Sequence, residues 1–193
     1  MHYYLPLSRK IEECKALLRS TNRPNVDKLI SYISELGYFI APGSFKHHRF
    51  QGGLVSHSLE TYKMAMDLRQ EKINQGISQD LIPVESVIIA ALMHDLCKAD
   101  ELLFNTEQKV VYSVKQIYVG HSRKSVAQVG KSGFRLTEQE KDAILWHMGG
   151  NRFYEDRTTH FQKNPLSEII YNADKRSIKE AKRRHHLNRD KNK

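Results

Sequence analysis

The segment VESVIIAALMHDLCK, Val84 to Lys98, constrains the fold more than any other: its interior is apolar on nearly every side, and it runs into His94 and Asp95. A helix that is apolar all round belongs in the middle of a core, covered by other helices. Pro83, just before it, suits a helix start, where the missing N–H costs nothing. An ionised carboxylate in such surroundings is expensive unless it is paired or metal-bound. Asp95 therefore calls for partners from elsewhere in the chain.

The covering helices are legible from their period. Ser8 to Arg19 carries Ile11, Cys14, Leu17 and Leu18, and Val26 to Leu36 carries Val26, Leu29, Ile30 and Ile33, both near helical spacing. Helical pattern resumes at Leu54 and runs to about Gln70, and Gly120 to Val129 reads as another helix. Thr137-Glu138-Gln139-Glu140 is a capping box that opens a helix ending at Gly149-Gly150. The last helix begins at Asn164-Pro165, and its inner stripe, Leu166, Ile169, Ile170 and Ala173, leads to Asp174. Gly37 to Gly53 has no period and reads as a long functional loop that carries His47 and His48. KVVYSV, Lys109 to Val114, is β-like and short enough for an edge hairpin. The expected fold class is all-α, a helical bundle with at most a short β-hairpin.

A chain of 193 residues has the length of one domain whose core needs no disulfide staples. No apolar run approaches the roughly 18 residues of a membrane span, which excludes a channel or transporter and makes a membrane partner unexpected. The start, MHYYLPLSRKIEEC, lacks the organisation of a secretory signal, and Cys14 and Cys97 lie far apart, so a reducing, cytoplasmic setting is expected. The net charge of +9 is concentrated: Lys175 to Lys193 holds nine basic and two acidic residues, +7, which leaves +2 elsewhere. Such a tail reads either as a solvated, fraying helix end or as a surface for an anionic partner, RNA above all. The expected organisation is packing helices at 1–44, a main domain at 45–181 and a basic tail at 182–193.

Other polar residues stand where helices turn inward. His57 lies one turn into its helix, His121 and His147 fall on separate later helices, and Asp174 closes the last apolar stripe. Each alone has a plain structural reading: a partly exposed histidine, a salt-bridge partner of Lys175 or Arg176, a His94-Asp95 hydrogen bond. Together, four imidazoles and two carboxylates from five helices can converge on divalent ions that take mixed nitrogen and oxygen ligands and keep positions open for water or substrate. With no thiolate in the set, a closed structural zinc site is not indicated. Cys97 reads as a small buried hydrophobe and Trp146 as core.

The order His57, His94-Asp95, His121, His147, Asp174 resembles that of the metal-dependent phosphohydrolases of the HD-domain superfamily. The likeness spans roughly Phe45 to Ala181, and the strings HHRFQGGLVSHSLE, AALMHDLCKADEL and NADKRSI are similar to those of the HD domain in YhaM-type 3′-to-5′ exoribonucleases. The resemblance implies an HD-domain helical bundle. It implies that His57, His94, Asp95 and Asp174 are core metal ligands, that His121 and His147 hold a second ion, and that Asp95 bridges the two. It places Lys98 where a phosphate oxygen is contacted, the structural alternative being a lysine that complements a helix end. Arg123 and Lys124, beside His121, and His48, in the Gly-rich loop, are further substrate-binding positions. Residues 1–44 show none of the short strands of the oligonucleotide-binding barrel those exoribonucleases add, and Met148 stands where that group has a further histidine.

The expected protein is thus a metal-dependent phosphohydrolase, phosphatase or phosphodiesterase, with one or two divalent ions (Mn, Fe, Co, Ni, Zn or Mg) and with Asp95 and Lys98 as catalytic residues. Its expected substrate is a phosphorylated small molecule, a nucleotide or a short oligonucleotide. The same ligand order occurs in mixed-valent di-iron oxygenases of the superfamily, and a non-catalytic nucleotide- or RNA-binding module is a third reading. Basic residues beside the ligands favour a phosphate substrate.

Overall fold

The helix α4, Val84–Met93, is the axis around which the others pack: every residue from Ser86 to Met93 is buried. It touches α1 (Leu7–Ser20), α3 (Gly53–Asn74), α6 (His121–Lys131), α7 (Glu138–Trp146) and α9 (Pro165–Lys191). α2 (Val26–Glu35) packs on α1, and Cys14, Leu18, Leu29, Ile30 and Ile33 of these two helices join the same apolar cluster as α4. The computed structural model describes residues 5–113, 120–149 and 156–191, with side chains as far as Arg184. Mostly helical, the chain has a single two-stranded antiparallel sheet among those residues. No helix among them is long and apolar enough to cross a membrane.

The pattern that predicts one helix from Pro83 to Lys98 is interrupted at Met93. From His94 the chain tightens to three-residue turns: the N–H groups of Leu96, Lys98 and Ala99 donate to the carbonyls of Met93, Asp95 and Leu96 at 3.0–3.1 Å. Cys97 N–H leaves the ladder altogether and donates to Ser125 Oγ at 3.1 Å. Tight turns inside a helical run often mark functional positions, because they re-aim side chains that a regular helix would spread apart. Here they let the adjacent His94 and Asp95 face the same space. The short α5 (Lys98–Glu101) follows and leads into the hairpin.

That hairpin pairs β1 (Leu102–Phe104) with β2 (Val110–Tyr112), Leu102 opposite Tyr112 and Phe104 opposite Val110. β2 occupies the middle of the expected Lys109 to Val114 strand, whose last residue lies outside the described residues. α8 (Arg157–Lys163) is absent from the sequence pattern because it is short and polar; Asp156 caps it by accepting from Thr159 N–H at 3.0 Å. α7 ends at Trp146 rather than at the glycine pair, of which Gly150 lies outside the described residues.

Gly37 to Gly53 has no regular structure, as its composition implies, yet it is folded tightly back on α3. Gly43 N–H donates to His48 O at 2.9 Å, and Ser44 Oγ accepts from the N–H groups of Lys46 and His47 at 2.9–3.0 Å. The backbone approach is close: a Cβ on Gly53 would stand 1.9 Å from His48 O, and one on Gly43 2.7 Å from His48 Cβ. Gly52, at φ +77°, turns the chain into α3 in a conformation glycine adopts without strain.

α9 spans 27 residues and is the principal partner of α3. Asn164 Oδ1 accepts from Ser167 N–H at 3.4 Å ahead of Pro165, in line with the expected start. Much of the stretch read as a tail continues this helix, and Arg184 reaches Glu60 on α3 at 2.8 Å. The side chains of 185–193 lie outside the described residues.

The capping box is present: Thr137 Oγ1 accepts from Glu140 N–H at 3.1 Å, and Glu140 Oε2 accepts from Thr137 N–H at 2.9 Å. Thr137→Ala removes one half of it and is expected to lower stability by about 1 kcal/mol, read by urea denaturation.

Candidate metal centre

Four polar atoms meet in the space between α3, α4 and α9. His57 Nε2 on α3 lies 3.1 Å from Asp174 Oδ1 on α9, 3.5 Å from Asp95 Oδ2 and 3.3 Å from His94 Nε2. His94 Nε2 is 3.4 Å from Asp95 Oδ2 and 3.7 Å from Asp174 Oδ1. All four residues are at most 5% exposed. Two ligands about 2.1 Å from a common ion stand about 3.0–3.4 Å apart, so these separations are close to those of a shared coordination sphere.

Their outer atoms are tied back. His94 Nδ1 donates to Ala91 O at 2.9 Å. His57 Nδ1 meets Ser177 Oγ at 3.2 Å, and that hydroxyl donates to Asp174 O at 2.8 Å. Commitment of Nδ1 leaves the Nε2 lone pair directed inward, the arrangement by which proteins prepare imidazole for a metal. Asp174 Oδ1 is buried without a hydrogen-bond partner among the described residues despite its closeness to two rings, as expected of an acceptor whose counterpart is a cation. The donor set and its orphaned oxygen fit a divalent ion.

The electrostatics agree. Burial raises the Asp95 and Asp174 carboxyls, but neighbours outweigh it: Lys98, His94, His147 and His57 hold Asp95 well below the usual range, and the His57 and His94 rings do so for Asp174. Burial opposes protonation of His94, yet Asp95 and Asp174 raise it to about 10. The pair of carboxylates demands positive charge, and among the side chains alone a proton on His94 meets part of that demand.

The other residues singled out from sequence fall around this core. His147, just past α7, is 1% exposed and places Nε2 3.5 Å from Asp95 Oδ1. Its Nδ1 donates to Ile144 O at 2.7 Å, and Nε2 has no hydrogen-bond partner among the described residues. His121, the first residue of α6, has a side chain 40% exposed, with Nδ1 3.3 Å from Glu101 Oε2. Asp95, Cys97 and His121 offer ligand atoms within 4.8 Å of one another. Burial first, then Asp95, pushes the Cys97 thiol up to about 12.

Lys98, on α5, holds Asp95 Oδ2 in a short ion pair. Arg123 is exposed on α6, whereas Lys124 is buried against Asp100 at 2.8 Å and Glu101 at 3.2 Å. His48, at φ +52°, is turned to Glu60, with Nε2 3.1 Å from Oε2. His47 stands beside it, its ring 5.3 Å from that of His57. Burial, then His57, His48 and Lys98, lowers the His47 ring to about 3, so it is neutral. Sequence reasoning passes over Glu101, Ser177 and Glu60. Glu101 and Ser177 are placed by the α4–α5 turn and by the α3–α9 contact, neither of which has a local pattern.

A family model described as "HD domain" matches residues 54–190. No curated protein and no solved structure matches the chain.

An ion entering this space displaces the proton on His94, so its affinity is expected to rise with pH through the neutral range, with protons released on binding. Calorimetric titration with Mn²⁺ in buffers of different ionisation enthalpy checks both the sign and the proton count; a flat profile contradicts the assignment of His94.

Proposed function

Since the chain belongs to the HD-domain family, whose members are typically metal-dependent phosphohydrolases, we propose that it hydrolyses a phosphomonoester or phosphodiester of a nucleotide or short oligonucleotide. One observation carries this reading: His57 Nε2, His94 Nε2, Asp95 Oδ2 and Asp174 Oδ1 converge, buried, with both imidazoles braced from behind. In the proposal these four residues would hold a divalent ion, and His121 and His147 would be available to a second. A bound ion supplies a water of lowered pKa and polarises a phosphoryl oxygen.

The chain's own groups supply the rest. Ala91 O and Ser177 Oγ fix the ring orientations, so the site needs little reorganisation to receive an ion. Lys98 neutralises Asp95 and, with three donors on its ammonium, has capacity left for a phosphate oxygen. Neutral His47 faces the same space from the Gly-rich loop, while exposed Arg123 draws anions toward α6. The choice of a nucleic-acid-derived substrate rests on the resemblance read in the sequence between the HHRFQGGLVSHSLE and AALMHDLCKADEL strings and YhaM-type domains.

RNA is the second partner in the proposal. Lys175, Arg176, Lys179, Lys182 and Arg183 are exposed along the distal part of α9, a basic face suited to phosphate neutralisation.

Metal-loaded protein is expected to turn over part of a panel of nitrophenyl phosphates, nucleotides and short RNAs under strict anaerobiosis, because hydrolysis consumes no oxygen. Asp95→Ala is expected to lose that activity together with bound metal; full turnover in this variant rejects the site. Exchange of Lys179, Lys182 and Arg183 for Gln is expected to weaken RNA binding and flatten its salt dependence, by about one unit of slope for each phosphate that is no longer neutralised. Nucleotide turnover stays unchanged in that variant.

A further inference from the structure

Asp95 offers its two oxygens to different neighbours. Oδ2 faces His57 and His94, whereas Oδ1 lies 3.5 Å from His147 Nε2. Around the same carboxylate stand Cys97 Sγ and His121, the three ligand atoms within 4.8 Å of one another. Cys97 is 0% exposed, yet its Sγ is not directed into apolar packing alone: it lies 3.4 Å from His121 Nδ1. A sulfur at about 2.3 Å and a nitrogen at about 2.0–2.1 Å from one tetrahedral ion stand about 3.5 Å apart. The observed separation is that of a thiol–imidazole hydrogen bond and equally that of two ligands of one ion.

Two further groups point the same way. His147 Nε2 is buried, without a hydrogen-bond partner among the described residues, and 3.5 Å from Asp95 Oδ1. Glu101 Oε2 lies 3.3 Å from His121 Nδ1 and adds a buried oxygen donor at the rim. The tight turn after Met93 is what brings Cys97 here, since its N–H is anchored on Ser125 Oγ of α6, the helix that begins with His121. Cys14, the other thiol of the chain, lies in the apolar cluster and belongs to no such group among the described residues.

We infer that Cys97 Sγ is a ligand of the second metal position, so that Asp95, Cys97 and His121 form a thiolate-containing site that takes Zn²⁺, Fe²⁺ or Co²⁺ in preference to Mg²⁺. The inference rests on the proposed metal centre, with Asp95 shared between two ions, and adds the identity of the ion. On binding, the thiol proton passes to solvent as the sulfur–metal bond forms, and sulfur keeps its oxidation state. Thiolate is a soft ligand that, with imidazole, favours these ions, whereas Mg²⁺ is suited by carboxylate, carbonyl and water oxygens alone. The half-open His121 side leaves a coordination position accessible to water or substrate.

Co²⁺ titration of the full chain, freed of metal beforehand, tests this by near-ultraviolet absorption. Thiolate bound to Co²⁺ gives a sulfur-to-metal charge-transfer band that oxygen and nitrogen ligands do not. The band is expected in the wild type and in Cys14→Ala, whose remaining thiol is Cys97, and is expected to vanish in Cys97→Ser. Because Cys14→Ala alone assigns the band, the test survives a Cys97→Ser variant that does not fold. Cobalt bound to the wild type with no such band overturns the thiolate ligand and leaves the proposed metal centre standing. A band that persists in Cys97→Ser also overturns it. Failure of the wild type to bind cobalt at all overturns both.

Discussion

Two carboxylates held in an apolar interior, within reach of the same two imidazoles, set the terms for the rest of this molecule. Asp95 and Asp174 are 3% and 5% exposed, and each uncompensated buried charge costs several kcal/mol. The fold meets that cost from several directions. Lys98 reaches Asp95 from the next turn, His57 and His94 stand between the acids, and His147 approaches from α7. A cluster of this composition is a poor way to stabilise a core, since apolar residues of equal volume do as well or better. It is a good way to bind a cation.

Each of the three helices lining this space contributes in its own manner. α4 is apolar enough to fix itself at the centre and then stops at the residue where polar chemistry begins. α3 and α9 pack along each other, and their contact is polar at the point nearest the site, where Thr61, Ser177 and His57 form a chain of hydrogen bonds. The same pair is joined again farther out, where Glu60 receives both Arg184 and His48. α9 therefore supplies a ligand candidate, braces another and helps to hold the Gly-rich loop, while its outer face remains basic.

How much of this is legible in the sequence depends on the range of the interactions involved. Local signals read well: the apolar run at Val84–Met93, the capping box at Thr137 and the Asn164-Pro165 start all act within one or two turns. The interruption of the helix at Met93 is not legible, because it depends on Ser125 of α6 capturing the Cys97 N–H, a contact between residues 28 apart in sequence. For the same reason Glu101 and Ser177 do not read as site residues, being positioned by partners on other elements. α8 escapes because a polar, seven-residue helix shows no apolar period. His57, His94, Asp95, His147 and Asp174 stand out because polar groups are so rarely placed on inward faces, whereas His121 proves half-open, and nothing in the sequence states their distances.

The back-to-back approach of Gly43 and Gly53 makes the loop and the start of α3 one mechanical part. No side chain, not even a methyl group, fits at Gly53 without meeting the His48 carbonyl at 1.9 Å. For protein engineering this marks two natural splice points. The segment between them is a cassette in which the side chains of Phe45 and Phe50 are exposed and open to exchange, provided that Gly52 and the two glycines at its ends, with the His47-His48 pair, are carried over unchanged. Outside those points, grafting a different cassette shifts His57 itself, because the helix that bears it starts at the second glycine.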